Sequence, residues 1–317
     1  MTCEAVQWQI AIQCAPPPQK QERWVQWMEA SGAQELKQTA YSNHRLTYAD
    51  YGRQHLDNDI MQQIDKDMHR TSSDASQLVL SALRRICLAH AVRNRKIGYT
   101  QGLNFVTAVL IAERPASFDE DDSFWLLCAI TERLLPEYYV PSLVGVRTDT
   151  QVLERLLQEH SLLSDLPAIF GTAGFEIDVI APHWLMLCFC ETLSRELTLR
   201  IWDLLFVFGA RVLLATALAI LRCVAPQLRS NGADFGDCFA LLKTPGQEAF
   251  GDSELLGALM AELHGIPRAY LERLRSQCRP LPRATANAAE LVRQRYRPVF
   301  VRRGKRNVDT YYGAAFR

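Results

Sequence analysis

Apolar residues in this chain recur at the spacing of one face of an α-helix, and this periodicity constrains the fold more than any other feature. Val79, Leu83 and Ile86 stand at positions i, i+4 and i+7, and the pattern predicts a helix from Gln77 to Arg93. The sequence lacks the alternating apolar and polar runs that indicate half-buried strands. It also lacks a repeat of fixed period, which disfavours a solenoid. The sequence therefore predicts an all-α fold.

Acidic residues, prolines and a glycine indicate where other helices begin and end. The acidic run from Asp119 to Ser123 predicts a helix start, and Pro136 predicts the end of that helix. Asp149 is the expected cap of another helix that ends near Pro167. Three more apolar helices are predicted, namely one with Pro182 in its first turn, one over 199–208, and one over 211–225 that follows Gly209 and is ended by Pro226.

Composition divides the chain into three predicted segments. Residues 1–20, which include three consecutive prolines, form an N-terminal extension that we expect to be poorly ordered. Residues 21–265 are predicted to form a single large multi-helix domain, and residues 266–317 a basic C-terminal segment. The whole chain has no net charge, but 268–317 carries thirteen Lys and Arg against three acids, a net +10, so the remainder carries −10. Such a basic tail is most often simply solvated, and its charge also suits anionic lipid, nucleic acid or an acidic protein.

Several function classes are disfavoured by the residues themselves. Nine cysteines without a CxxC pair argue against a disulfide framework or a zinc module, and no histidine has a second ligand at metal spacing. The apolar runs 179–190 and 212–221 are shorter than the roughly 20 residues that a bilayer requires. The N-terminus lacks the basic-then-apolar pattern of a secretory signal. We therefore expect a cytoplasmic protein without a metal site.

Two short motifs carry most of the chemical information. Residues 64–70 have the form I-x-x-D-x-x-R and supply an arginine, and residues 99–101 have the form Y-x-Q and supply a glutamine. GTP hydrolysis uses these two side-chain types, a cation for charge on the phosphoryl oxygens and an amide that orients the attacking water. A helix over 77–93 is about 25 Å long and separates the motifs. The two side chains can share a site only if a connecting segment runs back along this helix.

These motifs resemble those of the TBC domain, the GTPase-activating module for Rab proteins. R-I-W-D at 200–203 and R-x-x-x-W at 23–27 agree with the resemblance, which covers about residues 23–230. The stretch 123–139 is similar to the growth hormone-regulated TBC proteins. The chain departs from the family pattern in having Pro17-Pro18-Gln19 where Gly-Ile-Pro is usual. It also has Ser194 where a proline is common.

The resemblance implies roles for individual residues. Arg70 matches the arginine finger, and Gln101 matches the glutamine finger that replaces the GTPase's own switch glutamine. Asp67 matches the acid that helps hold the finger loop, and its spacing also allows a direct pair with Arg70. Tyr99 matches the tyrosine that positions the glutamine segment, although its residue type suits a core aromatic equally well. Supporting or partner-binding positions are matched by Arg23, Trp27, Arg200 and Asp203.

The implied function is acceleration of GTP hydrolysis on a GTP-loaded Rab-type GTPase, and thereby regulation of vesicle traffic. Such a chain is not an enzyme on its own and needs no cofactor of its own, because GTP and Mg²⁺ are bound to the partner. We expect it in the cytoplasm, or peripherally on endomembranes, with no nucleic acid partner. Two alternatives stay open, a non-catalytic Rab-binding adaptor and a helical scaffold whose basic tail docks on a membrane.

Overall fold

The computed structural model describes residues 17–42, 46–71, 76–230, 234–245 and 250–280, excluding the side chains of His69 and Arg70. Within these ranges the regular elements are helices and no strand occurs, so the predicted all-α class is confirmed. Most of the predicted N-terminal extension and of the basic segment lies outside the described residues. The described chain forms two compact units, one of Pro18–Gly145 and one that begins at Val146. The predicted domain bounds stay predictions.

The first unit is arranged around one long helix, α5. This helix packs against α3, α4, α6 and α7, and burial of Leu83 and Ile86 on it follows the predicted apolar face. A short π-helical turn, Ile130–Leu134, follows α7. The α-helices described in this unit are α1 (Lys20–Ala30), α2 (Ala33–Ser42), α3 (Tyr48–Gly52), α4 (Asn58–Thr71), α5 (Gln77–Arg93), α6 (Leu103–Glu113) and α7 (Glu120–Ala129).

Helix ends in the first unit follow the predicted signals. The bounds Gln77–Arg93 are confirmed for α5, and the Ser76 hydroxyl accepts a hydrogen bond from the amide of Val79. The helix start predicted at the acidic run 119–123 is confirmed, because α7 begins at Glu120 and Oδ2 of Asp122 accepts a hydrogen bond from the amide of Asp119 at 3.0 Å. Beyond Ala129 the backbone widens into the π-helical turn before the chain reaches Pro136. In this turn the Glu132 carboxylate accepts a hydrogen bond from Nε of Arg93 at 2.8 Å, which ties the end of α7 to the end of α5.

The second unit is arranged around the long apolar helix α12. This helix packs most extensively against α14 and also contacts α9, α10, α11 and α13. Its 19 residues have the length and apolarity to cross a membrane, but 78% of the apolar window is buried within the protein, as in a core helix. The helices described here are α8 (Val144–Glu159), α9 (Leu166–Thr172), a 3₁₀ turn (Ile177–Val179), α10 (Ala181–Met186), α11 (Arg195–Phe208), α12 (Arg211–Arg229), α13 (Phe235–Lys243), α14 (Asp252–Gly265) and α15 (Arg268–Cys278).

The role predicted for Asp149 is wrong. It does not cap a helix but lies inside α8, which begins at Val144, and its buried carboxylate accepts hydrogen bonds from Nε and Nη2 of Arg275. A long-range ion pair therefore uses the carboxylate that local sequence would assign to a helix end. The helix also ends at Glu159, earlier than predicted, and Pro167 instead occupies the first turn of α9.

The predicted end of α12 at Pro226 is also wrong, because the helix continues to Arg229. A proline inside a helix removes one backbone hydrogen bond and costs about 3 kcal/mol. Burial of Leu228 beyond the proline offsets part of this cost, and the half-exposed ion pair of Arg229 with Asp165 at 2.7 Å contributes at most about 1 kcal/mol. The division of α11 from α12 at Gly209, which has a φ of 75°, is confirmed.

We expect the buried histidine of α5 to make the stability of the protein depend on pH. Nε2 of His90 lies 2.9 Å from Oγ1 of Thr131, and burial, with Arg93 as a smaller cause, lowers the pKa of His90 to about 4. An unfolded histidine has a pKa near 6.5, so between pH 6.5 and 4 the unfolded chain binds more protons and stability falls as pH falls. Lowering the pH from 7 to 5 should cost about 2 kcal/mol through this residue.

Urea unfolding at pH 7 and pH 5 measures this effect as a difference between wild type and His90→Gln. The variant should lose less stability on acidification, because its side chain does not titrate. Equal losses in the two proteins would contradict the assignment.

Candidate functional site

The arginine motif forms the last turns of α4. Ile64, Asp67 and Met68 are buried, so this face of the helix is fixed against the core of the first unit. The Thr71 hydroxyl donates a hydrogen bond to the carbonyl of Asp67 at 2.8 Å and closes the end of the helix. Arg70 lies in this turn between the two anchored residues, and its side chain lies outside the described residues. The predicted pair between Asp67 and Arg70 stays a prediction.

The glutamine motif forms a tight turn before α6. Gly98 and Gly102 bracket the turn with φ values of 61° and 110°, a region that residues with a Cβ adopt at a cost. Between them, the Thr100 hydroxyl donates to the carbonyl of Tyr139 at 2.6 Å. The two glycines and this hydrogen bond fix the path of the backbone on both sides of Gln101.

Gln101 itself is the free part of this turn. Its side chain is partly exposed, and its carboxamide makes no hydrogen bond to the described part of the chain. The neighbouring Tyr99 and Gly102 are both held in place by hydrogen bonds. The turn therefore presents an amide with unused donors and acceptors on an anchored backbone.

A buried hydrogen bond joins the two motifs. The Tyr99 hydroxyl donates to Oδ2 of Asp67 over 3.0 Å, and both side chains are buried. Burial is the largest cause that raises the pKa of Tyr99 well above its usual value, and the nearby Cys87 and Asp67 contribute. The tyrosine therefore stays protonated and acts as the donor to this carboxylate. In this structure Tyr99 is both a core aromatic and a link between the motifs.

A second buried connection involves Asn104, for which the sequence indicated no role. Nδ2 of Asn104 donates to Oγ1 of Thr71 at 2.8 Å, and Oδ1 accepts from the amide of Gly102 at 3.0 Å. The only available signal was a polar residue at the start of the apolar helix α6, where it must find buried partners. Sequence alone does not indicate that one of these partners comes from α4.

The two motifs can share a site only if a connecting segment spans the length of α5, and the chain after that helix does so. The segment from Asn94 to Gly102 brings Tyr99 to hydrogen-bond distance of Asp67, although α5 separates the two motifs in sequence. Asn104 and Thr71 meet at the same place. One cluster of buried side chains therefore holds the backbone segments that carry Arg70 and Gln101 next to each other.

Arg23 and Trp27 of α1 are buried scaffold residues in this structure. Nη1 of Arg23 lies 3.6 Å from Oε2 of Glu113 at the end of α6, and both side chains are more than nine-tenths buried. The Trp27 ring lies 6.3 Å from that of Trp24, centroid to centroid. The pair of Arg23 with Glu113 joins α1 to α6, whereas the contact of Trp27 with Trp24 lies within α1. The supporting role of Arg23 and Trp27 stays a prediction.

Arg200 and Asp203 lie on α11 in the second unit, both buried. Their i, i+3 spacing is that of an intrahelical ion pair, which stays a prediction. Between them, Trp202 is fully buried and its Nε1 donates to the carbonyl of Cys188 at 3.0 Å. Ser194, which stands in place of the usual proline, caps α11 by accepting a hydrogen bond from the amide of Leu197 at 3.2 Å. This substitution therefore preserves a helix start.

The part of the chain that the structure describes contains no group of three or more His, Cys, Asp or Glu side chains arranged to hold a metal ion. The polar residues of the candidate site are instead an acid, a tyrosine, a threonine and an asparagine that bind one another. The arrangement can hold two backbone segments in register and present a polar side chain outward. It suits the completion of a site on another molecule.

The chain belongs to the Rab-GTPase-TBC domain family, whose model matches residues 20–229. It is 29% identical over 267 residues to growth hormone-regulated TBC protein 1-A of Danio rerio, covering 80% of this chain and 71% of the relative. It is 32% identical over 248 residues to small G protein signaling modulator 3 of Rattus norvegicus, covering 75% of this chain. The chain spans only 32% of that longer relative.

The fold is similar to the crystal structure of the Chlamydomonas flagellar RabGAP TBC domain. The two chains are 25% identical, with a TM-score of 0.67, and the match covers 83% of this chain and 85% of the other. The predicted resemblance to the TBC family, and to its growth hormone-regulated members, is therefore confirmed.

Proposed function

We propose that this chain is a GTPase-activating protein that accelerates GTP hydrolysis on a Rab-type small GTPase, with Arg70 and Gln101 supplied in trans. The partner contributes GTP, Mg²⁺ and most of the phosphate-binding site. Arg70 neutralises charge that develops on the phosphoryl oxygens, and Gln101 orients the attacking water. An arginine supplied in this way increases the rate about 10³–10⁵-fold, which corresponds to roughly 4–7 kcal/mol of barrier.

The observation that carries the proposal is the hydrogen bond between the two motifs. The Tyr99 hydroxyl lies 3.0 Å from Oδ2 of Asp67. Asp67 is three residues before Arg70, and Tyr99 is two residues before Gln101. Arg70 and Gln101 are 31 positions apart in the sequence, and this hydrogen bond brings their motifs together in a member of the Rab-GTPase-TBC family. The turn also carries a partly exposed carboxamide, that of Gln101, which makes no hydrogen bond within the described residues.

The side chains of the two motifs have different proposed roles. Asp67 and Tyr99 are buried and hold the two segments together, so we assign them a positioning role. Gln101 is partly exposed and is assigned to contact the water of the partner's active site. In this way the chain fixes the backbone in advance, and less ordering is required when the GTPase binds.

A screen against a panel of purified GTP-loaded Rab proteins tests the proposal. Phosphate release under single-turnover conditions should be accelerated by about 10³-fold or more for at least one member of the panel. A chain that accelerates none of them, while folded and monodisperse, would remove the basis of the proposal. Persistent binding of GTP-loaded Rab without phosphate release would instead identify the non-catalytic adaptor.

We also propose where the activity is used. A Rab-directed activator would regulate vesicle traffic from the cytoplasm, or from the surface of an endomembrane to which it binds peripherally. The basic residues between 281 and 317 lie outside the described residues, and their charge is suited to anionic lipid headgroups. This tail would concentrate the chain where membrane-bound Rab proteins are found.

A further inference from the structure

A buried asparagine connects the segments on either side of the candidate catalytic pair. Asn104 is 1% exposed, and both ends of its amide are used. Nδ2 donates to Oγ1 of Thr71, and Oδ1 accepts from the amide of Gly102. Thr71 directly follows Arg70 in the chain, and Gly102 directly follows Gln101. A single side chain therefore binds the neighbour of each proposed catalytic residue.

The direction of these hydrogen bonds is fixed by their chemistry. The amide of Gly102 can only donate, so it requires the oxygen of the Asn104 side chain. The Thr71 hydroxyl donates its proton to the carbonyl of Asp67 at 2.8 Å and so accepts from Nδ2 of Asn104. The result is a continuous chain of donors and acceptors from Gly102 through Asn104 and Thr71 to Asp67. No residue with only donors or only acceptors can replace Asn104 in it.

We infer that Asn104 is a positioning residue that fixes the Gln101 turn relative to the end of α4 that carries Arg70. The kinetic part of this inference rests on the proposed GTPase-activating function. Two reacting groups that must act on one phosphoryl centre require a defined separation, and a displacement of 1 Å can cost about 10²-fold in rate. Asn104 acts through its neighbours and does not itself contact the nucleotide.

Removal of this connection should lower turnover more than affinity. Asn104→Ala and Thr71→Val should each lower kcat for Rab GTP hydrolysis about 10–100-fold, with little change in KM. Thr71→Ser keeps the hydroxyl and should retain activity close to that of wild type. Because both substitutions break the same connection, the double variant should be no worse than the more severe single variant. Additive losses, or unchanged kcat in folded Asn104→Ala, would overturn the inference.

Thr107→Val is the matched control. Thr107 is a buried polar residue one turn further along α6, and its hydroxyl donates to the carbonyl of Leu103 within the same helix. Its loss removes this hydrogen bond and a weak one that the hydroxyl accepts from Sγ of Cys87 on α5, without breaking the link to α4. This variant should keep the kcat of wild type. If it loses as much kcat as Asn104→Ala, the effect is one of general stability and the inference fails.

Hydrogen exchange of the free chain tests the connection without any GTPase. In Asn104→Ala, amide exchange should accelerate about tenfold or more both in residues 99–104 and in residues 66–71, since one of the two buried hydrogen bonds between these segments is then lost and only that of Tyr99 with Asp67 stays. Thr71→Val should produce the same pair of changes from the other side, which covers the case in which Asn104→Ala does not fold. Acceleration confined to 99–104 would overturn the coupling role. Failure of the whole Rab panel together with coupled exchange would reject the proposed function and leave the connection standing.

Discussion

Arg70→Ala should lower the rate of Rab GTP hydrolysis by about 10³–10⁵-fold, the largest effect that we expect from a single substitution in this chain. The loss should be in turnover, because the arginine acts on charge that develops during the reaction and not on the ground state. The measurement is single-turnover phosphate release with a responsive Rab, accompanied by a direct binding measurement with the GTP-loaded form. Binding should change by less than about tenfold, since the interface around the reacting centre stays intact.

Arg70→Lys should be nearly as inactive as Arg70→Ala. Lysine keeps the positive charge but lacks the planar group that donates two parallel hydrogen bonds to phosphoryl oxygens. Lys66→Ala is the matched control, because Lys66 is an exposed cation one turn earlier on α4. Its removal should leave kcat unchanged. Wild-type turnover in Arg70→Ala would exclude the arginine finger, and an equal loss in Lys66→Ala would reduce it to an effect of net charge.

Much of the first unit could be predicted from the sequence because its signals are local. The spacing of Val79, Leu83 and Ile86 defines the buried face of α5, and the side chains of Ser76 and Asp122 accept hydrogen bonds from backbone amides at the starts of α5 and α7. The same holds for Gly209, whose positive φ interrupts two apolar helices. Interactions that close within one helical turn are set by residues a few positions apart, and sequence patterns record them.

The errors have a common physical origin in contacts between distant segments. Asp149 reads as a helix cap, yet Arg275 binds its carboxylate from 126 positions away. Pro226 reads as a helix end, yet buried Leu228 and the pair between Arg229 and Asp165 keep the helix intact beyond it. In both cases the observed structure departs from the local preference where a residue contacts a distant part of the chain. Neither partner can be identified from the neighbouring sequence.

In the candidate site, too, the features set by local residue types could be predicted, and those set by contacts between distant segments could not. The residue types of Arg70 and Gln101 suggested GTP hydrolysis, and the motif match suggested roles for Asp67 and Tyr99. The position of Thr71 and Asn104 between the motifs could not be predicted, because their hydrogen bond spans 33 residues of sequence. Chemistry is recorded in residue types, but the separation of two catalytic groups depends on the folded chain.

Gln101→Ala should lower the rate of Rab GTP hydrolysis by about 10²–10³-fold, the loss that follows removal of one preorganised polar group from a reaction centre. The carboxamide of Gln101 is unbonded within the described chain and stands on a backbone fixed by Gly98, Thr100 and Gly102. Its loss should therefore leave the turn in place and remove only the group that orients water. Gln101→Glu should be at least as harmful, because it adds negative charge near the phosphates.

The partner's own switch glutamine provides a comparison that separates two mechanisms. If Gln101 orients the water, replacing the glutamine of the Rab by alanine should cost less than Gln101→Ala, because the GTPase residue is then not the one that acts. Gln62→Ala, which removes an exposed glutamine from α4, should leave the rate unchanged. The measurement is single-turnover hydrolysis for the four combinations of wild-type and substituted proteins. If the Rab substitution abolishes acceleration and Gln101→Ala does not, the water is oriented by the GTPase, and this chain contributes only Arg70.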